Sequence, residues 1–410
     1  MNAVAPKLAA ITPWVGQFSN VWMHRQFDQL SDQMPLVITW EHMNQEIFPL
    51  PQTEVRLVPE RFAMPLRGWT RTVNTLFNPR IGCARFGPAF RRWLQEQLIE
   101  SKIDGILGQF GNFAMVAEDA CRSIGVASFA HFHGQDISAS LRKKRYRHSI
   151  ERHWHRFAGI ICVASYQRDY LLSHGYAPES VALIPCGAPA KEIKAKTDKI
   201  RASAPPKSEQ RQSECHFFFV GRFVDKKDPI SLIKAFERCF ASQPHTRLNL
   251  AGFGPLEDDC KQYVATKPSE FQQAVNFIGR LAPTEVLEHM ATADAYVQHS
   301  RVAPDGDMEG WPVAIAEAMA CGLPIIATRH AGIVDQVVEA ETGYLCDEGD
   351  WQSMGDQMAK LAADPELRNQ IAKQSQQRIM QFDAAILIEQ LREFMHERIA
   401  ITKHQQSRAA

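Results

Sequence analysis

The chain has 410 residues and a mass of 46.3 kDa, more than one hydrophobic core usually serves, so two domains of comparable size are expected. With 45% hydrophobic and 22% charged residues, the composition excludes a disordered, collagen-like or coiled-coil chain. The formal net charge is zero, yet residues 1–200 hold 24 Lys and Arg against 17 Asp and Glu, a net of +7, leaving −7 for the remainder. Opposite signs point to two domains that face different partners. No apolar run reaches the roughly 18 residues that span a bilayer, and the first twenty residues, with an early Pro13, do not read as a signal peptide. Nine cysteines without a CxxC pair signal neither a disulfide framework nor a zinc knuckle, so reduced thiols in a cytoplasmic chain are expected.

Along the first half, apolar runs predict strands at 8–12, 36–40, 105–109, 126–131, 159–164 and 181–185, with amphipathic stretches such as 86–100 between them. Positive charge clusters at 56–92, with eight arginines and only Glu60 as an acid, and at 141–156, with seven Lys and Arg, three His and one Glu. Each is either a solvated helix face or a surface for anionic lipid or a phosphate-bearing acceptor. Residues 191–214 are polar, carry Pro205-Pro206 and read as a linker. The second half predicts strands at 215–220, 248–251, 275–278, 295–298, 324–327 and 343–345, with helical segments near 228–242, 255–266, 284–291, 312–321, 332–339 and 350–363. Alternation of strands and helices gives two doubly wound parallel α/β domains, 1–190 and 215–382, whose ligands bind at the carboxyl ends of the strands. The stretch 365–401 exceeds one βα unit, and 383–410 is expected to cross back to the first domain.

The segment 306–328 (GDMEGWPVAIAEAMACGLPIIAT) is the most informative. Glu309 precedes Gly310-Trp311-Pro312 and a helical run with Glu317 eight residues on, about 12 Å at the helical rise and near the span of a diphosphate with its sugars. Backbone N–H groups at that helix start can receive a phosphate. In VGRFVDKK, Gly221 ends a strand, and Arg222 and Lys227 supply cations suited to a diphosphate. His133, in HFHGQD after a first-domain strand, suits contact with a sugar better than a metal, because no HExxH or carboxylate cluster accompanies it. Gly16-Gln17 offers a backbone loop after the first strand.

Together these motifs resemble the family-four (group 1) glycosyltransferases of the GT-B fold, in which two Rossmann-like domains face a central cleft. The likeness is close from 215 to 382 (VGRFVDKK, LAGFGP, VNFIGR, EGWPVAIAE, HAGIVDQV, ETGYL) and looser before it. GQFSNVWMHRQ and the GDMEGWP context resemble the exopolysaccharide-building branch. The resemblance implies a retaining, metal-independent transferase that uses a nucleoside diphosphate sugar as co-substrate, with no cofactor. It implies that Arg222 and Lys227 neutralise the diphosphate, Glu309 holds the transferred sugar and Glu317 the ribose. Gly310, Trp311 and Pro312 would contact sugar and phosphate, Arg280 would lie by the base, and His133 near the anomeric carbon; Gly16 and Gly221 complete the donor set. The partners implied are the donor and a glycan or lipid-linked acceptor, with no nucleic acid. The cations Arg142, Lys143, Lys144 and Arg145 are expected to serve the acceptor or a peripheral contact with an anionic inner membrane face, together with Tyr146 and Trp154. The sequence departs from the family at Asp228, where glycine is usual, and at Val334-Asp335, where Pro-Glu is usual. A GT-B sugar-nucleotide epimerase and a non-catalytic sugar-nucleotide-binding protein remain as alternatives.

Overall fold

A computed structural model describes residues 5–62, 87–204 and 214–409. The chain forms two compact units, Met1–Cys186 with Ala385–Ala410, and Gly187–Ala384. Each is built on a parallel sheet. The first runs in the order β3-β2-β1-β4-β5-β6-β7, from β1 (Leu8–Val15), β2 (Leu36–His42), β3 (Glu54–Leu57), β4 (Gly105–Gln109), β5 (Ala127–Phe132), β6 (Gly159–Cys162) and β7 (Val181–Leu183). The second runs β10-β9-β8-β11-β12-β13, from β8 (Cys215–Val220), β9 (Thr246–Ala251), β10 (Val275–Gly279), β11 (Ala295–Gln298), β12 (Ile325–Thr328) and β13 (Gly343–Cys346).

In each sheet the strand order reverses beside a first strand buried on both faces. β1 pairs with β2 on one side and β4 on the other, and β8 with β9 and β11. Both strands are apolar almost throughout, the pattern that parallel sheets covered by helices require. The reversal opens a crevice at the carboxyl ends of the central strands within each unit. In the second unit Phe217 and Phe219 of β8 anchor a core shared with Leu232, Phe236, Leu250 and Met354.

Three sequence readings change. Residues 191–203, read as linker, belong to a helix, Ala190–Ser203. Ala190, Ile193 and Thr197 form a buried stripe at helical spacing beneath its polar composition, and Arg201 Nε donates to the Ala291 carbonyl at 2.9 Å. Part of that linker reading, 205–213, lies outside the described residues, as does 63–86 of the arginine-rich stretch. The edge strand β3 was not anticipated, because four half-exposed residues with two charges carry no apolar signal. Tyr146 and Trp154 were assigned to a basic interface, but both are buried in the core beside Ile150 and Phe157. In the helix Lys144–His153 the inward positions are Tyr146, Ser149, Ile150 and His153, whereas Lys144, Arg145, Arg147 and Arg152 are exposed.

The stretch 365–401 divides into the helices Pro365–Ile379 and Ala384–Ala409. The latter packs into the first unit. Ile399 lies where a side chain at Gly105 would reach, Phe394 does the same at Gly159, and Arg392 pairs with Asp32 at 2.7 Å. Ile399 is 1% exposed. Ile399→Ala is therefore expected to destabilise the protein by about 3 kcal/mol. Urea unfolding checks this, and an unchanged first transition contradicts the packing.

Candidate functional site in the second unit

The crevice at β8 is shaped by backbone. Beyond the sheet, Gly221 N–H donates to the Ala251 carbonyl at 3.0 Å, and Gly252 N–H to the Gly279 carbonyl at 2.7 Å. These bonds bring the ends of β8, β9 and β10 together. Gly252, at φ 136°, lies so close to the Gly221 carbonyl that any side chain there would collide with it. The adjacent Phe253 is 44% exposed, and the Arg280 guanidinium stacks 4.1 Å above its ring. Arg280 was expected from the sequence, whereas Phe253 was missed; its position between the glycines of LAGFGP was the available signal.

The charged centre lies between the turn after β8 and the loop before the helix Val313–Ala320. Lys227 Nζ is 3.1 Å from Glu309 Oε1, and Lys226 Nζ is 2.9 Å from Asp307 Oδ2. Glu309 is 6% exposed. Burial alone would raise its pKa, but Lys227 and then Lys226 outweigh that and hold it at about 2. Burial lowers the Lys227 ammonium below its ordinary value, against the pull of Glu309, with Lys226 and Arg222 adding repulsion. Arg222 is thus close enough to act on the same charge. The structure therefore brings Lys227 and Glu309 together, with Arg222 near enough to repel Lys227; Lys226 and Asp307 are additions that the sequence did not single out.

The helix begins at Val313, with Pro312 as its N-cap residue at ψ 108° rather than in its first turn. Glu309 to Pro312 is thus non-helical, and the helical rise applies only beyond it. Glu317 is half-buried within the helix. Burial raises the Tyr296 phenol, and both Glu309 and Glu317 are near enough to add to that. Trp311 is buried against Phe382 at 5.7 Å between ring centres, which leaves the backbone of Gly310 to Pro312 rather than the indole to meet a ligand. The Val334-Asp335 pair lies in a short helix, Ile333–Gln336, with Val334 exposed.

Asp228 explains its own departure from glycine. It keeps the left-handed conformation, at φ 33°, and its carboxylate caps the helix Pro229–Ser242 at Ser231 N–H. Its other oxygen lies 3.3 Å from both His299 Nδ1 and Arg301 Nε, which ties the lysine turn to the end of β11.

Candidate functional site in the first unit

His133 follows β5 and is 8% exposed. Its ring lies against Trp22 at 4.4 Å, His131 at 4.5 Å and Phe110 at 4.8 Å. Gln109 uses its amide N–H on Gln26 Oε1, so its own oxygen, 3.1 Å from His133 Nε2, accepts a hydrogen bond from the ring. His133 is therefore the Nε2–H tautomer, with Nδ1 as a lone pair. Burial, then His131, holds its pKa well below the usual value, so the ring is neutral near pH 7. Asp136 fixes the loop by accepting the N–H groups of His133 at 2.8 Å and Gly111 at 2.9 Å. Gly16, at φ 83°, leaves no room for a side chain, which would collide with the Met43 carbonyl, and its own carbonyl accepts from Asn44 Nδ2 at 2.8 Å.

Among the described residues, one group could offer three metal ligands, Glu118, Asp119 and His153. There His153 Nδ1 bonds the Ser149 carbonyl at 2.7 Å, its Nε2 lies 3.5 Å from Glu118 and 3.4 Å from Asp119, and Arg156 lies 3.8 Å from Glu118. No described helix is long and apolar enough to cross a membrane.

Residues 201–378 match the family model "glycosyl transferases group 1", and residues 51–192 match "glycosyltransferase family 4". Two glycosyltransferase models thus match most of the chain between them, and its two parallel α/β units are those of the GT-B fold. It is 28% identical over 243 residues to the amylovoran biosynthesis glycosyltransferase AmsK of Erwinia amylovora, covering 56% of this chain and 54% of that one. It is 25% identical over 281 residues to the GDP-mannose-dependent monoacylated alpha-(1-6)-phosphatidylinositol monomannoside mannosyltransferase of Corynebacterium glutamicum, covering 68% and 72%. The chain matches about half the length of AmsK. In fold it resembles HepE of Anabaena, solved with UDP, at a TM-score of 0.74 and 17% identity over 94% of this chain and 98% of that one.

The Glu309 carboxylate is depressed from 4.5 to about 2, so the stability it contributes is fully present above pH 4.5 and is lost as pH falls through about 2. The difference in thermal midpoint between the wild type and Glu309→Gln is expected to be flat from about pH 5 to 8 and to shrink below it. A difference that grows on acidification contradicts the ion pair.

Proposed function

We propose that this protein transfers a hexosyl group, with retention and without a metal, from a nucleoside diphosphate sugar to a hydroxyl of a glycan or lipid-linked acceptor. The observation that carries the reading is the buried Lys227–Glu309 pair, with Arg222 beside it, in the crevice that parallel α/β folds use for ligands. The ligands of similar proteins support it: HepE is solved with UDP-glucose, and the corynebacterial relative is GDP-mannose-dependent.

In this reading the diphosphate takes Lys227 and Arg222, and Glu309 turns to the sugar hydroxyls. Glu317 holds the ribose, and Arg280 with Phe253 receives the base. The backbone of Gly310 to Pro312 meets sugar and phosphate. His133 contributes a neutral ring whose Nδ1 accepts a sugar hydroxyl. The acceptor oxygen bonds to the anomeric carbon on the face from which the phosphate leaves, and its proton passes to the departing β-phosphate. The products are a glycoside and a nucleoside diphosphate. Arg222 and Lys227 act most strongly on the charge that grows on the leaving group.

UDP or GDP at about 100 times its dissociation constant is expected to stabilise the protein by roughly 2.7 kcal/mol in a thermal-shift assay. Lys227→Ala is expected to lower kcat about a hundredfold, and wild-type activity is expected to persist in excess chelator. An unchanged rate in Lys227→Ala, or a metal-restorable loss in chelator, overturns the assignment.

The exposed cations Arg142, Lys143, Lys144 and Arg145 form the acceptor-side or membrane-facing surface in this proposal, at the inner face of a cytoplasmic membrane. With Tyr146 and Trp154 in the core, the attraction is electrostatic only, so it falls steeply with salt. Changing Lys143, Lys144 and Arg145 together to Gln is expected to lower binding to anionic vesicles at least tenfold at low salt, while donor hydrolysis stays near normal. Equal vesicle binding by both proteins makes the face a solvated one.

A further inference from the structure

We propose that His330 is a positioning residue for Glu309, and that Glu348 sets the tautomer it needs. The inference rests on the reading of Glu309 as the sugar-holding carboxylate.

The loop that carries Glu309 has no regular secondary structure between Ser300 and the helix at Val313. Its carboxylate can therefore hold one orientation only if other groups fix its backbone. His330, at the end of β12, does so: the Glu309 N–H donates to His330 Nε2 at 3.1 Å. On the other side of the ring, Nδ1 lies 2.6 Å from Glu348 Oε1. A carboxylate only accepts, so Nδ1 carries the proton and Nε2 presents the lone pair that Glu309 N–H requires. The second Glu348 oxygen accepts the Val302 N–H at 2.9 Å. Glu348 thus joins the segments after β11, β12 and β13 at one point, and His330 passes that anchorage to Glu309.

The side chain of His330 is fully buried, so no water can replace a lost contact without rearrangement. A proton on Nε2 would set one N–H against another. Displacing a holding group by as little as an ångström can cost about a hundredfold in rate, so this bond lies within reach of catalysis without touching substrate.

Two substitutions separate the two bonds. In His330→Asn the amide overlies Nδ1, so it can still donate to Glu348 but offers Glu309 N–H no acceptor. In His330→Gln the amide oxygen reaches the Nε2 position and can accept from Glu309. His330→Asn is expected to lower kcat between about tenfold and a hundredfold, with the dissociation constants of free UDP and GDP within about twofold of wild type. His330→Gln is expected to recover most of that loss. A wild-type kcat in His330→Asn, equal losses in both variants, or a parallel loss of nucleotide affinity overturns the proposal. Histidine-selective nitrogen NMR gives a readout independent of turnover: Nε2 of His330 is expected to be unprotonated, and a proton found there overturns the assignment too. Glu309→Gln separates this idea from the reading beneath it. If Glu309→Gln keeps the wild-type kcat, the role of Glu309 fails. If it loses activity while His330→Asn does not, only the positioning fails.

Discussion

The second unit is organised around a charge problem. Glu309 and Lys227 are both largely removed from water, where neither ion would be stable alone, and each is tolerable because the other lies within 3.1 Å. Their meeting requires the turn after β8 and the loop before the helix Val313–Ala320 to converge, segments about eighty residues apart in sequence. The parallel sheet makes that possible, because every strand of it delivers its following loop to the same edge. An ion pair of this kind is also a natural ligand switch. An incoming diphosphate can take the cation, and the released carboxylate can turn to hydroxyl groups.

Around the pair, the edge is held by polar contacts from β11 and the end of β12. Tyr296 bonds the Val220 carbonyl at 3.2 Å and Gln298 at 3.1 Å, and Gln298 reaches Ser300 at 2.9 Å. Thr328 then accepts the Ser300 N–H at 2.9 Å. Asp228 and His299 add a further tie on the lysine side, and Glu348 and His330 on the glutamate side. Buried polar chains of this kind cost stability unless every member is paired, and here they fix loops that the sheet alone would leave loose.

The first unit answers a different need. Its histidine is neutral, desolvated among aromatic rings and held in one tautomer by Gln109 and Gln26, which suits recognition of hydroxyl groups rather than of phosphate. Its positive charge is carried outside, on helix positions whose opposite face is core. Counted by unit, 1–186 with 385–410 carries a net charge of +6 and 187–384 carries −6.

The sequence by itself determined the class of fold, because alternating apolar strands and amphipathic helices permit few arrangements other than two parallel α/β units. It also singled out Arg222, Lys227, Glu309 and Glu317 as donor-side candidates, since each stands in a short motif whose spacing is local. It misread 191–203, because a helix with three buried positions in fourteen residues looks like linker by composition. It misplaced Tyr146 and Trp154, because proximity in sequence to lysines says nothing about which side of a helix faces the core. Only the tertiary structure decided that Lys227 pairs with Glu309, that Asp228 replaces glycine at the cost of a left-handed backbone supported by His299 and Arg301, and that His330 and Glu348 hold Glu309. Those contacts join residues about 20 to 80 positions apart, beyond the reach of a short motif, and burial, which sets their strength, is a property of packing rather than of spacing.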